Sequence, residues 1–86
     1  MPRISEFYGI VITMYYREHG VAHFHAIYGD EEASIAIDSL KVIAGSLPAR
    51  ALRLVREWAA VRRPQLEANW ERAREYAPLE KIAPLP

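Results

Sequence analysis

The chain of 86 residues contains no cysteine, which removes disulfides, thiolate zinc sites, iron–sulfur clusters and cysteine nucleophiles at once. It has no net charge either, with 11 basic residues against 11 acidic ones, so whole-chain attraction to nucleic acid or to an anionic membrane is not expected. Long apolar runs are missing. The longest, Gly9 to Tyr16, falls far short of the roughly 18 residues that a spanning helix needs, and the opening Met1 to Glu6 holds no apolar signal core. The expected location is therefore cytoplasmic, without a membrane partner. There is no phosphate-binding glycine loop, no dinucleotide fingerprint and no recognisable Ser–His–Asp order. Low-complexity tracts and runs of like charge are lacking too, which argues against disorder. Half the residues are apolar and a quarter charged, the composition of one small folded domain with a modest core.

Alternation fixes the first elements. Tyr8 to Arg17 reads as a strand with Ile10, Ile12, Met14 and Tyr16 on one side and Val11, Thr13, Tyr15 and Arg17 on the other. His23 to Tyr28 continues in kind, and Gly29-Asp30 is a two-residue hairpin turn before Ala33 to Ile37. A further turn at Ser39-Leu40 leads to a short last strand. Pairing about these turns sets Tyr28 opposite Glu31, Ala26 opposite Ala33, Phe24 opposite Ile35, Ile37 opposite Val42 and Ile35 opposite Ala44. One face then collects Ile10, Ile12, Met14, Tyr16, Phe24, Ala26, Tyr28, Ala33, Ile35, Ile37, Val42 and Ala44. Because a slip of one residue would scatter this set, its coherence predicts an α+β fold built on a four-stranded antiparallel meander, about 8–17, 22–28, 32–38 and 41–45.

The cover of that face is helical. Leu52, Val55, Ala59, Leu66, Trp70, Ala73 and Ala77 fall on one narrow stripe at 100° per residue. Pro48 suits a helix start, whereas Pro64 removes a donor and disfavours helix at Arg63. The expectation is two helices, about 48–62 and 64–77, or one helix kinked at Pro64. Residues 1–77 then form a single domain. Residues 78–86, with Pro78, Pro84 and Pro86, make an extended tail whose Leu79, Ile82 and Leu85 could dock on the domain or on a second copy. Residues 1–47 carry three basic and six acidic side chains, residues 48–86 eight and five. Two oppositely charged halves that pack together or dimerise explain this; a basic helical face for a partner is the sharper alternative.

The face of the sheet opposite the core receives Thr13, Tyr15, Arg17, His23, His25, Glu32, Ser34 and Asp38. With the first hairpin turning near Gly20, Arg17 pairs with His23 and Tyr15 with His25. An i, i+2 histidine pair points both rings one way, a geometry that metal sites use, but a third ligand from His19, Glu32 or Asp38 depends on the turn, and no metal or cofactor is expected. For catalysis the residues would be His23 or His25 as general acid or base, Arg17 steadying a phosphate and Tyr15 positioning the substrate. Trp58, on the border of the helical stripe, and Ile43, on the open sheet face, would meet a partner together with Leu79, Ile82 and Leu85.

Met1-Pro2-Arg3-Ile4-Ser5, Phe7-Tyr8-Gly9-Ile10-Val11-Ile12, Met14-Tyr15, His23-Phe24-His25-Ala26, Tyr28-Gly29, Glu32-Ala33, Leu47-Pro48, Val55-x-Glu57-Trp58, Asn69-Trp70 and Ile82-Ala83-Pro84-Leu85 together resemble a family of small bacterial proteins, the domain-of-unknown-function family 4160. Prolines usual in the family before His-Phe-His are replaced here by Val21-Ala22, and a glycine of the later hairpin by Ser39-Leu40. The resemblance implies no established activity. Family members often lie beside another small gene, an arrangement similar to toxin–antitoxin pairs, and this yields two expectations. The first is a small cytoplasmic protein-interaction module, one component of a toxin–antitoxin-like gene pair, whose partner is the neighbouring gene's protein or a second copy. The other is a histidine-dependent RNA-acting enzyme, a nuclease-like toxin, using His23, His25, Arg17 and Tyr15.

Overall fold

The computed structural model describes residues 2–16 and 18–86. Five strands form one antiparallel sheet in sequence order: β1 (Arg3–Phe7), β2 (Ile10–Thr13), β3 (His23–Tyr28), β4 (Glu31–Ala36) and β5 (Val42–Gly45). A single helix, α1 (Ala49–Arg74), crosses one face. The class is α+β as expected, with one strand more than the alternation suggested and, of the two helical alternatives, a single helix.

The additional strand comes from a turn inside the apparent first one. Tyr8 and Gly9 both have positive φ, 50° and 79°, the backbone that a two-residue type I′ hairpin requires. The stretch read as one strand from residue 8 therefore begins in a turn, and β1 folds back on β2 with Phe7 opposite Ile10. β1 is hard to see in the sequence because its register shifts between Arg3 and Ser5. That bulge puts Ile4 and Phe7, three residues apart, into the same core and breaks the period of two.

The second hairpin matches expectation. Gly29 takes φ +60°, and Tyr28 faces Glu31, Ala26 faces Ala33 and Phe24 faces Ile35. The third does not. The Ala36 amide donates to Lys41 O at 3.0 Å and the Leu40 amide to Ala36 O at 2.9 Å, so the connection is wider than Ser39-Leu40 and Ile35 pairs with Val42, not Ala44. Ile37 remains buried, while Ala44 is exposed. Tyr16 and Tyr28, expected in the core, are also exposed; Tyr16 donates its hydroxyl to Ala77 O and stacks on Tyr76.

Helix α1 is continuous through Pro64. The apolar stripe keeps its phase on both sides, and both Pro64 and Ala60, the residue whose carbonyl loses its donor, are exposed. Val55, Ala59, Leu66, Trp70 and Ala73 are buried as expected. Trp58 is not a border residue: it is fully buried, 5.3 Å from the Phe7 ring and 5.9 Å from that of Phe24. The tail runs back over the domain. Ile82 is buried, its amide donates to Ile4 O at 2.7 Å, Leu79 and Leu85 pack at the core's edge, and Trp58 Nε1 donates to Ala83 O at 2.8 Å. Among the described residues no helix is long and apolar enough to cross a membrane.

Candidate functional site

His23 and His25 stand two residues apart on β3, so both imidazoles leave the sheet on the same face. Across the β2–β3 ladder His25 faces Thr13, where Tyr15 was expected. The difference is two residues, which preserves the face. Tyr15 still meets His25, edge to ring at 4.4 Å between centroids. Beyond β2 the chain runs through residues 14–22 before entering β3, and this connection lays Glu18 between the two histidines.

Glu18 Oε1 lies 2.7 Å from His25 Nε2 and 3.5 Å from His23 Nε2. The opposite nitrogens are held as well. His23 Nδ1 is 2.8 Å from Val21 O, while His25 Nδ1 is 3.1 Å from Glu32 Oε2 and 3.2 Å from Ser34 Oγ, both on β4. The ring of Trp70 on α1 covers His23 at 5.2 Å. This face is therefore not open: His23 and Thr13 are buried, His25 is partly so, and Glu18 retains about 29% of its side-chain surface. Partial burial pushes the Glu18 carboxyl up, but the hydrogen bond from His25 and the nearby charges of His23 and His25 outweigh it and hold the group below the usual carboxylate range.

Glu18 also forms one wall of a surface cleft of about 310 Å³, shared with His19, Gly20, Trp70 and Arg74. Arg74 pairs with Glu71 at 3.2 Å and is the described cation nearest to hand for an anion entering that cleft. The histidines, a carboxylate and a guanidinium so placed could exchange protons with, or steady, a negatively charged group.

Of the residues singled out from the sequence, His23, His25 and Tyr15 come together here, with Ser34 and Glu32 beside them. Arg17 lies outside the described residues. His19 is exposed on the cleft wall and Asp38 sits in the β4–β5 turn, bonding the Ser39 amide. Trp58 and Ile82 are inside the molecule, Leu79 and Leu85 half inside, and Ile43 is 48% exposed on β5. Sequence reasoning passed over Glu18, Trp70 and Arg74 as site residues. Glu18 belongs to an irregular connection where no periodicity marks it, and Trp70 was absorbed into the helical stripe.

No similar protein was found among curated sequences, and none among solved structures. The sequence model of one family does match, over residues 9–71, a span that includes β2 to β5, nearly all of α1 and the Glu18, His23 and His25 cluster but not Arg74 or the tail. On that match, covering most of its length, the chain belongs to the family described as Domain of unknown function (DUF4160).

Proposed function

We propose that the chain is a small protein-interaction module, one component of a toxin–antitoxin-like gene pair, which takes its partner along the free edge of β5. The supporting observation is the different treatment of the two sheet edges. At β1 the tail covers the edge through the Ile82 amide on Ile4 O, and the exposed positions carry the Arg3–Glu6 ion pair. At β5 the sequence is Val-Ile-Ala-Gly, uncharged, with Ile43, Ala44 and Gly45 all exposed. Exposed edge strands without charge or proline are templates for an added strand, and folded proteins ordinarily blunt them. An extended partner segment pairing with β5 would gain main-chain hydrogen bonds and cover Ile43. Co-expression with the neighbouring gene's product tests this. Ile43→Lys should reduce co-purification at least about tenfold and His25→Ala should leave it intact; the reverse pattern would sink the proposal. Sedimentation of the chain alone decides whether a second copy is the occupant instead.

A second reading, the histidine-dependent RNA-acting enzyme, draws support from the 2.7 Å Glu18–His25 contact beside a cleft walled by Arg74. There Glu18 would orient His25, one of the two histidines would transfer the proton, and Arg74 would hold a phosphate. Induced expression in a bacterial host should then arrest growth, and His23→Ala and His25→Ala should relieve the arrest, each lowering RNA cleavage by roughly 10² or more.

A further inference from the structure

We infer that Glu18, His23 and His25 form a binding site for a divalent transition metal of the zinc type. The inference concerns the cluster itself and stands apart from the β5 edge. Glu18 Oε1 and one nitrogen from each histidine lie within 4.8 Å of one another. Around zinc, with bonds of about 2.0 to 2.1 Å, tetrahedral ligand atoms sit roughly 3.3 Å apart. The observed 3.5 Å from Glu18 to His23 is already at that spacing, and the 2.7 Å from Glu18 to His25 opens to it by a small side-chain rotation.

The outer partners carry the argument further than the three atoms do. A metal-binding histidine almost always gives its other ring N–H to a carbonyl or carboxylate, which fixes the tautomer and leaves the metal-facing nitrogen with a free lone pair. Both histidines have such a partner at Nδ1, and an entering metal would replace the proton that Nε2 of His25 shares with Glu18. His23 Nδ1 donates to Val21 O, so Nε2 is the nitrogen left facing Glu18. His25 Nδ1 is served by Glu32 and Ser34 on the neighbouring strand, again leaving Nε2 toward Glu18. Two separate outer shells, one from the 14–22 connection and one from β4, thus orient two rings toward one carboxylate oxygen. A simple histidine–carboxylate ion pair requires neither.

Two further observations bear on which metal and how it is held. Imidazole nitrogen with one carboxylate suits zinc, nickel, copper or iron better than calcium or magnesium, which prefer all-oxygen shells. The Thr13 hydroxyl, wholly buried opposite His25, has no hydrogen-bond partner, an orphan polar group beside the site that a metal-bound water would satisfy. Three protein ligands leave a fourth position, the pattern of sites that bind a water or a substrate group. Glu18 connects the site to the cleft in which Arg74 waits, so an anion bound there could reach both. Binding requires that the ligand nitrogens carry no proton, and protons are released as the metal enters.

The test uses the full, untagged, chelator-treated chain titrated with Zn²⁺ against a chromophoric chelator, and with Co²⁺ followed by its visible absorption. One metal per chain at micromolar affinity or tighter is expected. His23→Ala and His25→Ala should weaken binding at least 100-fold, and Glu18→Gln and Glu32→Gln about 10- to 100-fold. Glu32 is half exposed, so Glu32→Gln reports on the site even where a histidine variant fails to fold. Circular dichroism of each variant separates lost folding from lost ligation. No binding by the folded wild type, or binding of unchanged affinity in Glu18→Gln and Glu32→Gln, would overturn the inference, the second outcome placing the metal on other groups such as His19.

Discussion

Asn69 is the residue on which the tail hangs, and replacing it should show how much of the fold depends on residues 78–86. It is 1% exposed, near the C-terminal end of α1. Its Nδ2 donates to Glu80 O at 2.8 Å, its Oδ1 accepts the Glu80 amide at 3.0 Å, and Arg72 donates to the same oxygen at 2.9 Å. Asn69→Ala removes two neutral hydrogen bonds worth about 1 kcal/mol each and leaves the Glu80 amide and carbonyl without partners, for a total of about 2 to 4 kcal/mol. Arg72 is one-third exposed and keeps its contact with the Glu80 carboxylate, so it adds little. In a domain of this size each kcal/mol is worth about 4 to 8 °C, and the melting temperature should fall by about 10 to 30 °C. The loss has a ceiling, because once the tail detaches nothing more can be lost there. Ile82→Ala, expected to cost about 2 kcal/mol or more from its buried position, acts on the same clasp. The double variant should therefore be less destabilised than the sum by about 1 kcal/mol or more. Urea denaturation of the two single variants and the double variant measures this. An Asn69→Ala effect below about 0.5 kcal/mol, or strict additivity with Ile82→Ala, would refute the view that the tail docks as one unit through Asn69.

Other expectations follow from single contacts. Gly45 has φ +73°, and a Cβ there would collide with the Glu32 carbonyl, so Gly45→Ala should detach β5 and remove hydrogen-exchange protection from Val42 to Gly45 while leaving β2 and β3 protected. Pro64→Ala should stabilise the protein by up to about 3 kcal/mol in chemical denaturation, since it returns a helical donor that α1 lacks. Glu18 has a lowered pKa, so its stabilising contribution is present above the ordinary carboxylate range and disappears as pH falls through the lowered value. The stability difference between wild type and Glu18→Gln should accordingly be fully developed above that range and close toward acid pH, as measured by denaturation at each pH.

Parts of this molecule could be read in one dimension because their signals are local. Gly29 supplies the positive φ of its hairpin, and once Gly29-Asp30 is the turn, Ala26 must meet Ala33 and Phe24 must meet Ile35, as they do. The helical stripe was equally legible, since Val55, Ala59, Leu66 and Trp70 keep phase through Pro64. What escaped depended on the third dimension. A bulge hid β1 by bringing Ile4 and Phe7 to one side, and a tyrosine in a left-handed turn position at Tyr8 disguised its end. Trp58 seemed available to a partner until Phe7, Phe24 and the tail closed over it. The two histidines of the site were visible from their spacing, but Glu18 was not, because the path of residues 14–22 that delivers it follows no repeating pattern.

The central proposal is that a partner adds to the β5 edge, and hydrogen exchange resolved along the chain tests it most directly, comparing the protein alone with the protein mixed with the proposed partner, a neighbouring gene's product. The account predicts that exchange slows upon binding within Val42 to Gly45, that amides of β1, on the edge where the tail already docks, change little, and that Ile43→Lys abolishes the difference. Protection gained around Glu18, His23 and His25 with β5 unchanged would contradict it and move the partner's footprint to the histidine face.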